Sequence, residues 1–227
     1  MLLVDKIYIA HYSPLADRKK RLLPILKEMH SDVEWVELEP TTADLSEYYH
    51  SDETLWNSRI SPIYPISQHR YRPLKRAEIS IAYKQIKILE KISFSDDDPG
   101  STYIIFEDDI LFEPHFVDSF NAALLVSPRD WDVIFFGSGC DLHVPANQAG
   151  DGIRSYRKNH PASRCADSYI ITKEAAERLV TTFKPFVTAY DYELAYHMWK
   201  HDLTVYWWEP SLTRQGSQCG VYKSEIQ

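Results

Sequence analysis

Tyr103-Ile-Ile-Phe-Glu-Asp-Asp-Ile-Leu-Phe-Glu113 is the stretch that decides the fold. Its first four residues are apolar and rich in β-formers, so Thr102–Phe106 reads as a strand buried on both faces. Three carboxylates follow without a break, Glu107, Asp108 and Asp109, and apolar residues resume at Ile110. Such a strand belongs inside a sheet that is covered by helices. The flanks agree. Upstream, Ile79, Ala82, Ile86, Leu89 and Ile92 recur at helical spacing, which makes Arg76–Ile92 a helix and Ser95-Asp-Asp-Asp-Pro-Gly100 the turn after it. Downstream a helix is expected from about Pro114 to Leu125, then a strand Trp131–Phe136 ended by Gly137-Ser-Gly139.

The same alternation reaches both ends. Val4–Ala10 reads as a first strand, Ser13 and Pro14 as the cap and first turn of a helix running to about Met29, and Val33–Leu38 as a second strand. Past the centre, a loop over His143–Arg164 carries Arg154, Arg157, Lys158 and Arg164. Ser168–Ile171 is then a strand, Lys173–Phe183 a helix capped by Thr172, Tyr190–Lys200 a helix, and Leu203–Trp208 a last strand. Residues 40–73 turn polar, with Pro62, Pro65 and many Tyr, His and Ser, and read as one long irregular insertion. The expectation is a single α/β domain over residues 1–227 with a mostly parallel central sheet.

Composition excludes several function classes. Acidic residues outnumber basic ones 33 to 25, a net charge of −8, which argues against a nucleic-acid partner. Hydrophobic residues at 44% with 26% charged exclude wholesale disorder. No apolar run approaches the ~20 residues of a membrane span. Asp5 and Lys6 interrupt the place where a signal peptide needs an apolar stretch, so a cytoplasmic protein is expected. Cys140, Cys165 and Cys219 form no CxxC motif; reduced thiols fit this spacing, with one disulfide as the alternative. The first of the seven glycines is Gly100, which excludes a glycine-rich phosphate cradle after the first strand.

The three acids after the central strand sit where ligands bind in an open α/β sheet, outside the carboxyl ends of the strands. Adjacent carboxylates repel unless a positive charge joins them. Mg²⁺ or Mn²⁺ bridging to a diphosphate is a natural neutraliser, because hard cations prefer carboxylate and phosphate oxygens. The bland alternative is that the acids end a strand in solvent. Asp96–Asp98, ahead of Pro-Gly, reads as turn chemistry rather than a metal cluster, and Arg18-Lys-Lys-Arg21 as a solvated helix face or a phosphate-facing one.

The stretch Tyr103–Glu113 resembles the hallmark segment of glycosyltransferase family 25, and further pieces resemble that family in order along the chain. These are Lys6–Ala10 with Asp17-Arg18, Ala77–Ala82, Trp131–Gly137, Asp167–Leu179, Tyr190–Glu193, Pro210–Gln215 and Ser224-Glu-Ile226. Departures occur at Ala77, Ser80, Ile81, Lys84, Gln85 and Glu225; they bear on nucleotide and sugar identity more than on fold. The resemblance implies a glycosyltransferase A-type, Rossmann-like three-layer sandwich. It implies an inverting, metal-dependent transferase that moves a hexose or pentose from a uridine-diphosphate (UDP) sugar to a glycan or glycoprotein hydroxyl. Two other readings of the residues are a binding module of the same fold without catalysis and a metal-dependent phosphodiesterase.

On the transferase reading, Glu107 and Asp109 hold Mn²⁺ or Mg²⁺, and Asp108 with Glu107 borders the nucleotide. Inversion needs a base across the sugar from the metal, hence from another segment. Asp191 and Glu193 are the candidates, at a helix start that favours the ionised form; the resemblance favours Asp191, and a plain capping role is the alternative for both. His11, Tyr12 and Arg18 follow the first strand, where a base and phosphates lie; loop and helix-start roles serve equally. Tyr83 and Lys84 reach toward the diphosphate, or Lys84 lies on a solvated helix face. Asp141 and Asp167 are acceptor contacts or solvated loop acids, and one of Trp207 and Trp208 is a sugar-stacking wall or both are core. His197 and His201 have the spacing of a zinc pair but no third ligand, which fits a surface helix. Gln215 and the segment through Ile226 are expected, on the resemblance alone, to close over the donor.

Overall fold

A computed structural model describes residues 2–29, 32–64, 69–158 and 163–223. In chain order its elements are β1 (Lys6–Ala10), α1 (Ala16–Glu28), β2 (Val33–Val36), α2 (Thr42–Tyr48), α3 (Glu53–Ile60), α4 (Arg76–Ser93), β3 (Thr102–Glu107), β4 (Ile110–Phe112) and α5 (Phe116–Val126). There follow β5 (Val133–Phe135), β6 (Arg154–Arg157), β7 (Ser168–Thr172), α6 (Lys173–Val180), α7 (Tyr190–Lys200), β8 (Val205–Glu209) and β9 (Thr213–Gln215).

Seven strands form one sheet in the order β2-β1-β3-β7-β5-β8-β6. β2, β1, β3, β5 and β8 run in one direction, and β7 and β6 run against them. The expected α/β class with a mostly parallel sheet is therefore what forms. Alternation along the strands builds a core on each face. Tyr103 and Ile105 of β3 pack with Ala82, Ile86 and Leu89 of α4, Leu179 of α6 and Leu194 of α7. Ile104 and Phe106 pack on the other face with Leu22 and Leu26 of α1 and Phe116 and Phe120 of α5. Helices thus cover both faces, which is why β3 reads as an unbroken apolar run.

Several expectations are corrected. The 40–73 insertion is not wholly irregular, since it contains α2 and α3. Thr41 and Asp44 form a reciprocal capping box at α2, and the Leu55 N–H donates to Asp52 Oδ1 at 2.8 Å to start α3. Helix α1 begins at Ala16 rather than at Ser13-Pro14, because the Leu15 N–H first closes a turn onto Tyr12 O at 2.8 Å. The basic loop contains an edge strand, β6, paired antiparallel to β8. Thr172 caps α6 as expected, accepting from the Ala175 N–H at 3.2 Å. Among the described residues no helix is long and apolar enough to cross a membrane, and the three cysteines are free thiols.

Candidate active site

The register between β1 and β3 sets the site. Ala10 lies opposite Glu107, so the residues that leave the two strands, His11-Tyr12 and Asp108-Asp109, emerge side by side. β7 is antiparallel to β3, with Phe106 opposite Ser168, so it brings its beginning to this edge. Asp167 sits just before that start, and its carbonyl accepts from the Glu107 N–H at 2.9 Å. After β3 the chain turns into β4, which pairs antiparallel with β9 and returns Gln215 alongside Ile110. The Gly216 N–H then donates to Asp109 O at 2.7 Å and the Ser217 N–H to Asp109 Oδ2 at 3.2 Å. Four segments far apart in sequence thus meet at the carboxyl edge of the sheet.

Three of them, the ends of β1, β3 and β9, line a cavity of about 490 Å³, with Asp167 outside its lining. His11, Tyr12 and Arg18 form one wall; Ser80, Ile81 and Lys84 of α4 another; Glu107, Asp108, Asp109, Gln215 and Ser217 close it. Asp108 is neutralised from within the protein. Arg18 Nη1 is 2.7 Å from its Oδ1, His11 Nδ1 is 2.7 Å from its Oδ2, and the Tyr12 N–H donates to that oxygen at 3.2 Å. Burial works to raise Asp108, but the bonds from His11 and Arg18 outweigh it and hold the carboxyl below its ordinary value.

The other acids at this edge are not neutralised in that way. Burial, reinforced by Asp109, Asp167 and Asp108, pushes Glu107 well above its ordinary value. Burial raises Asp109 despite the Ser217 contact, and burial lifts Asp167 to about 7. Asp109 is 4% exposed and Asp167 fully buried, yet Oδ1 of each accepts no hydrogen bond among the described residues. A buried carboxylate oxygen without a donor carries a desolvation cost that an added cation or donor removes. Among the described residues no three His, Cys, Asp or Glu are grouped to hold a metal by themselves. Glu107 and Asp109 are the two carboxylates of the triplet without a cationic partner, and two carboxylates fit a hard cation only when ligand oxygens complete the shell.

Two cations, Lys84 and Arg18, line the other two walls. Lys84 is buried, not solvated; its Nζ donates to Ser80 Oγ at 2.5 Å, pairs with Glu39, and lies over the Tyr12 ring. Arg18 also donates to Lys223 O at 3.0 Å and lies against the Tyr222 ring, which ties the segment after β9 to the cavity mouth. Ser224–Ile226 lie outside the described residues. Tyr83 is not at the cavity. It points into the core, edge-on to Tyr48 with ring centres 5.0 Å apart.

The two candidate bases part company. Ala189, not Asp191, occupies the cap position of α7. Asp191 is half-buried, and burial raises its carboxyl, which opposes the ionising effect expected of the helix start. Its charge reaches Glu107 and Tyr64. Glu193 is fully buried and saturated: Arg59 Nη1 lies 2.6 Å from Oε2, and the Val187 and Thr188 N–H groups donate to Oε1 at 2.6 and 3.0 Å. It anchors α7 to α3 and cannot act as a base toward a ligand.

Other expectations also resolve into structure. Arg164 of the basic loop is fully buried, held by Leu142 O, Trp208 O and Glu209, and so is not a solvated loop cation. Trp207 and Trp208 are both core. His197 is buried against Phe183 rather than on a surface helix, and both His197 and His201 hydrogen-bond Thr182 Oγ1. Asp141 is exposed and pairs with His143. Asp167 faces the acidic edge rather than a solvated loop. A Cβ at Gly137 or Gly139 would collide with the Asp167 carboxylate, so the Gly137-Ser-Gly139 pair is what lets that group sit there. Gly-x-Gly followed by an Asp at a strand start was the signal available for it.

No known family model matches the sequence, and no curated protein matches it significantly.

Proposed function

We propose that this chain is an inverting, metal-dependent glycosyltransferase of the A-type fold, taking a UDP-sugar as donor. One observation carries the reading. Glu107 and Asp109 line a cavity whose other walls carry Arg18 and Lys84, and Asp109 and the adjacent Asp167 each keep a buried carboxylate oxygen that accepts no hydrogen bond among the described residues. A nucleotide diphosphate with a divalent cation complements both sets of charges at once, the cation against the acids and the phosphates against the bases.

In this reading Glu107 and Asp109 are the residues that would hold Mn²⁺ or Mg²⁺, which would supply Lewis-acid neutralisation of a diphosphate leaving group. Arg18, fixed by Asp108, and Lys84, fixed by Ser80 and Glu39, position the phosphates. Tyr12, half exposed at the rim, offers a ring face for the base. His11 holds Asp108 from behind rather than touching a ligand directly. Asp191 takes the proton of the attacking hydroxyl, and the burial that raises its carboxyl makes it the stronger base.

Thermal shift with UDP, GDP and CDP, each with and without Mn²⁺, tests the reading. UDP with Mn²⁺ should stabilise the protein most, by mass action on the folded state. Equal shifts from all three nucleotides remove the uridine specificity, and no shift from any removes the donor site.

A further inference from the structure

A second cavity, of about 230 Å³, opens beside the start of α7. Its walls come from four places: Trp56 and Ile60 of α3, the segment His69–Leu74, Glu78 of α4, and the start of α7 at Thr188, Ala189 and Tyr192. Ala189 and Tyr192 bracket Asp191 in sequence, and the Asp191 charge is felt by Tyr64, whose ring packs 5.2 Å from Tyr192. The volume is below the ~300–1,000 Å³ of sites for drug-sized ligands, and matches a single ring.

The lining is aromatic and cationic at once. His69 packs edge-on to Tyr192 at 5.3 Å, and Trp56 edge-on to Tyr71 at 6.0 Å. Amphipathic rings of this kind give a platform for the apolar face of a sugar while leaving polar tips for its hydroxyls. The charged groups facing the cavity are Arg70, Arg72, Glu78 and titratable His69. Arg72 and Glu78 cancel, since Arg72 Nη1 and Nη2 lie 2.7 and 2.5 Å from the two Glu78 oxygens. Arg70 is exposed and makes no ion pair among the described residues. In a chain of net charge −8, this cavity thus keeps one guanidinium in surplus beside aromatic faces.

The geometry points to an acceptor subsite that binds a pyranose carrying an acidic group, with Tyr192 under the ring and Arg70 on the anion. The word acceptor rests on the glycosyl-transfer reading; the binding of an acidic sugar does not. A planar guanidinium fork recognises carboxylate and phosphate alike, so either can supply the charge. The position fits that chemistry, because two of the lining residues, Ala189 and Tyr192, flank Asp191 in sequence, and the Asp191 charge is also felt by Glu107 at the acidic edge.

The test uses the full chain without any nucleotide. Glucuronate, glucose 6-phosphate and glucose are titrated and followed by ligand-observed NMR, against the parent, Arg70→Ala, Arg70→Glu and Tyr192→Ala. At least one acidic sugar should bind about tenfold or more tighter than glucose, the scale of one charge-assisted pair. Whichever of the two acidic sugars wins identifies carboxylate or phosphate as the group. Arg70→Ala should reduce that sugar to the affinity of glucose, Arg70→Glu should take it below, and Tyr192→Ala should weaken all three. Equal binding of neutral and acidic sugars, no binding of any, or an unchanged preference in Arg70→Ala overturns the subsite. Acidic-sugar binding together with no Mn²⁺-dependent UDP binding keeps this subsite and removes the transferase reading. Transfer from a UDP-sugar that Arg70→Glu leaves untouched does the reverse.

Discussion

Arg18 Nη1 and Asp108 Oδ1 lie 2.7 Å apart across 90 residues of chain, and this pair divides the acidic triplet in two. Asp108 is spent inside the protein, on Arg18 and His11. Asp109, its neighbour, is held by Ser217 without any cation and keeps one oxygen without a partner among the described residues. The two adjacent aspartates therefore fail differently when replaced, and the contrast supplies a first prediction.

Asp109→Asn should fold as the parent does, because it relieves buried charge, and it should lose Mn²⁺-dependent UDP binding by at least ~10-fold. Asp108→Asn should instead loosen Arg18 and His11 and weaken UDP binding with or without metal. Calorimetric titration of UDP in Mn²⁺ and in excess chelator separates the two. A metal-dependent gain that survives in Asp109→Asn removes Asp109 from the metal.

Asp191→Asn should reduce sugar transfer by ~10²–10⁴-fold, the usual contribution of a general base. Donor affinity should change little, since Asp191 does not line the donor cavity. Turnover against UDP affinity in the same preparation reads the split. Transfer near the parent rate would falsify the assignment of the base.

Glu193→Ala should behave as a stability variant. It strands Arg59 and two backbone N–H donors in the interior, and breaking a buried pair of this kind costs about 3–5 kcal/mol. Urea denaturation should show that loss, with activity per folded molecule retained. Loss of turnover at unchanged stability would return Glu193 to the chemistry.

Asp167 predicts a pH dependence. Its folded value of about 7 stands above the ordinary carboxylate range. The folded state therefore binds more protons than the unfolded one between about pH 4 and 7, and stability falls as pH rises through that window. Asp167→Asn removes the term: in chelated buffer it should melt a few degrees above the parent at pH 8 and alongside it near pH 4. A parent that melts higher than Asp167→Asn at pH 8 would mean that the Asp167 charge is compensated.

The parts legible in the sequence were those encoded locally. The apolar run of β3, the helical spacing of α4, the Thr172 cap and the bounds of α7 each need only neighbours in sequence to specify them. The acidic edge was legible for the same reason, since one strand delivers Glu107–Asp109. What stayed hidden depends on distant partners. Arg59 lies in a segment read as irregular and meets Glu193 134 residues later. β6 has exposed and half-buried residues and becomes a strand only against β8. The roles of Asp108 and Asp109 look identical along the chain until Arg18 and Ser217 distinguish them. Tyr83 and Lys84 are consecutive on one helix, and a rotation of ~100° between neighbours sends one to the core and the other to the cavity.

The pairing of β9 with β4 has a consequence for the order in which the molecule is completed. A growing chain that has emerged through Glu209 already contains every strand of the seven-stranded sheet, including β8 and its partners. It contains neither Gln215, nor the Ser217 N–H that meets Asp109, nor the Tyr222 ring that rests on Arg18. Scaffold and site thus come from different parts of the chain: all seven strands of the sheet are in place by Glu209, and residues 213–223 add the contacts that close the acidic edge and reach Arg18.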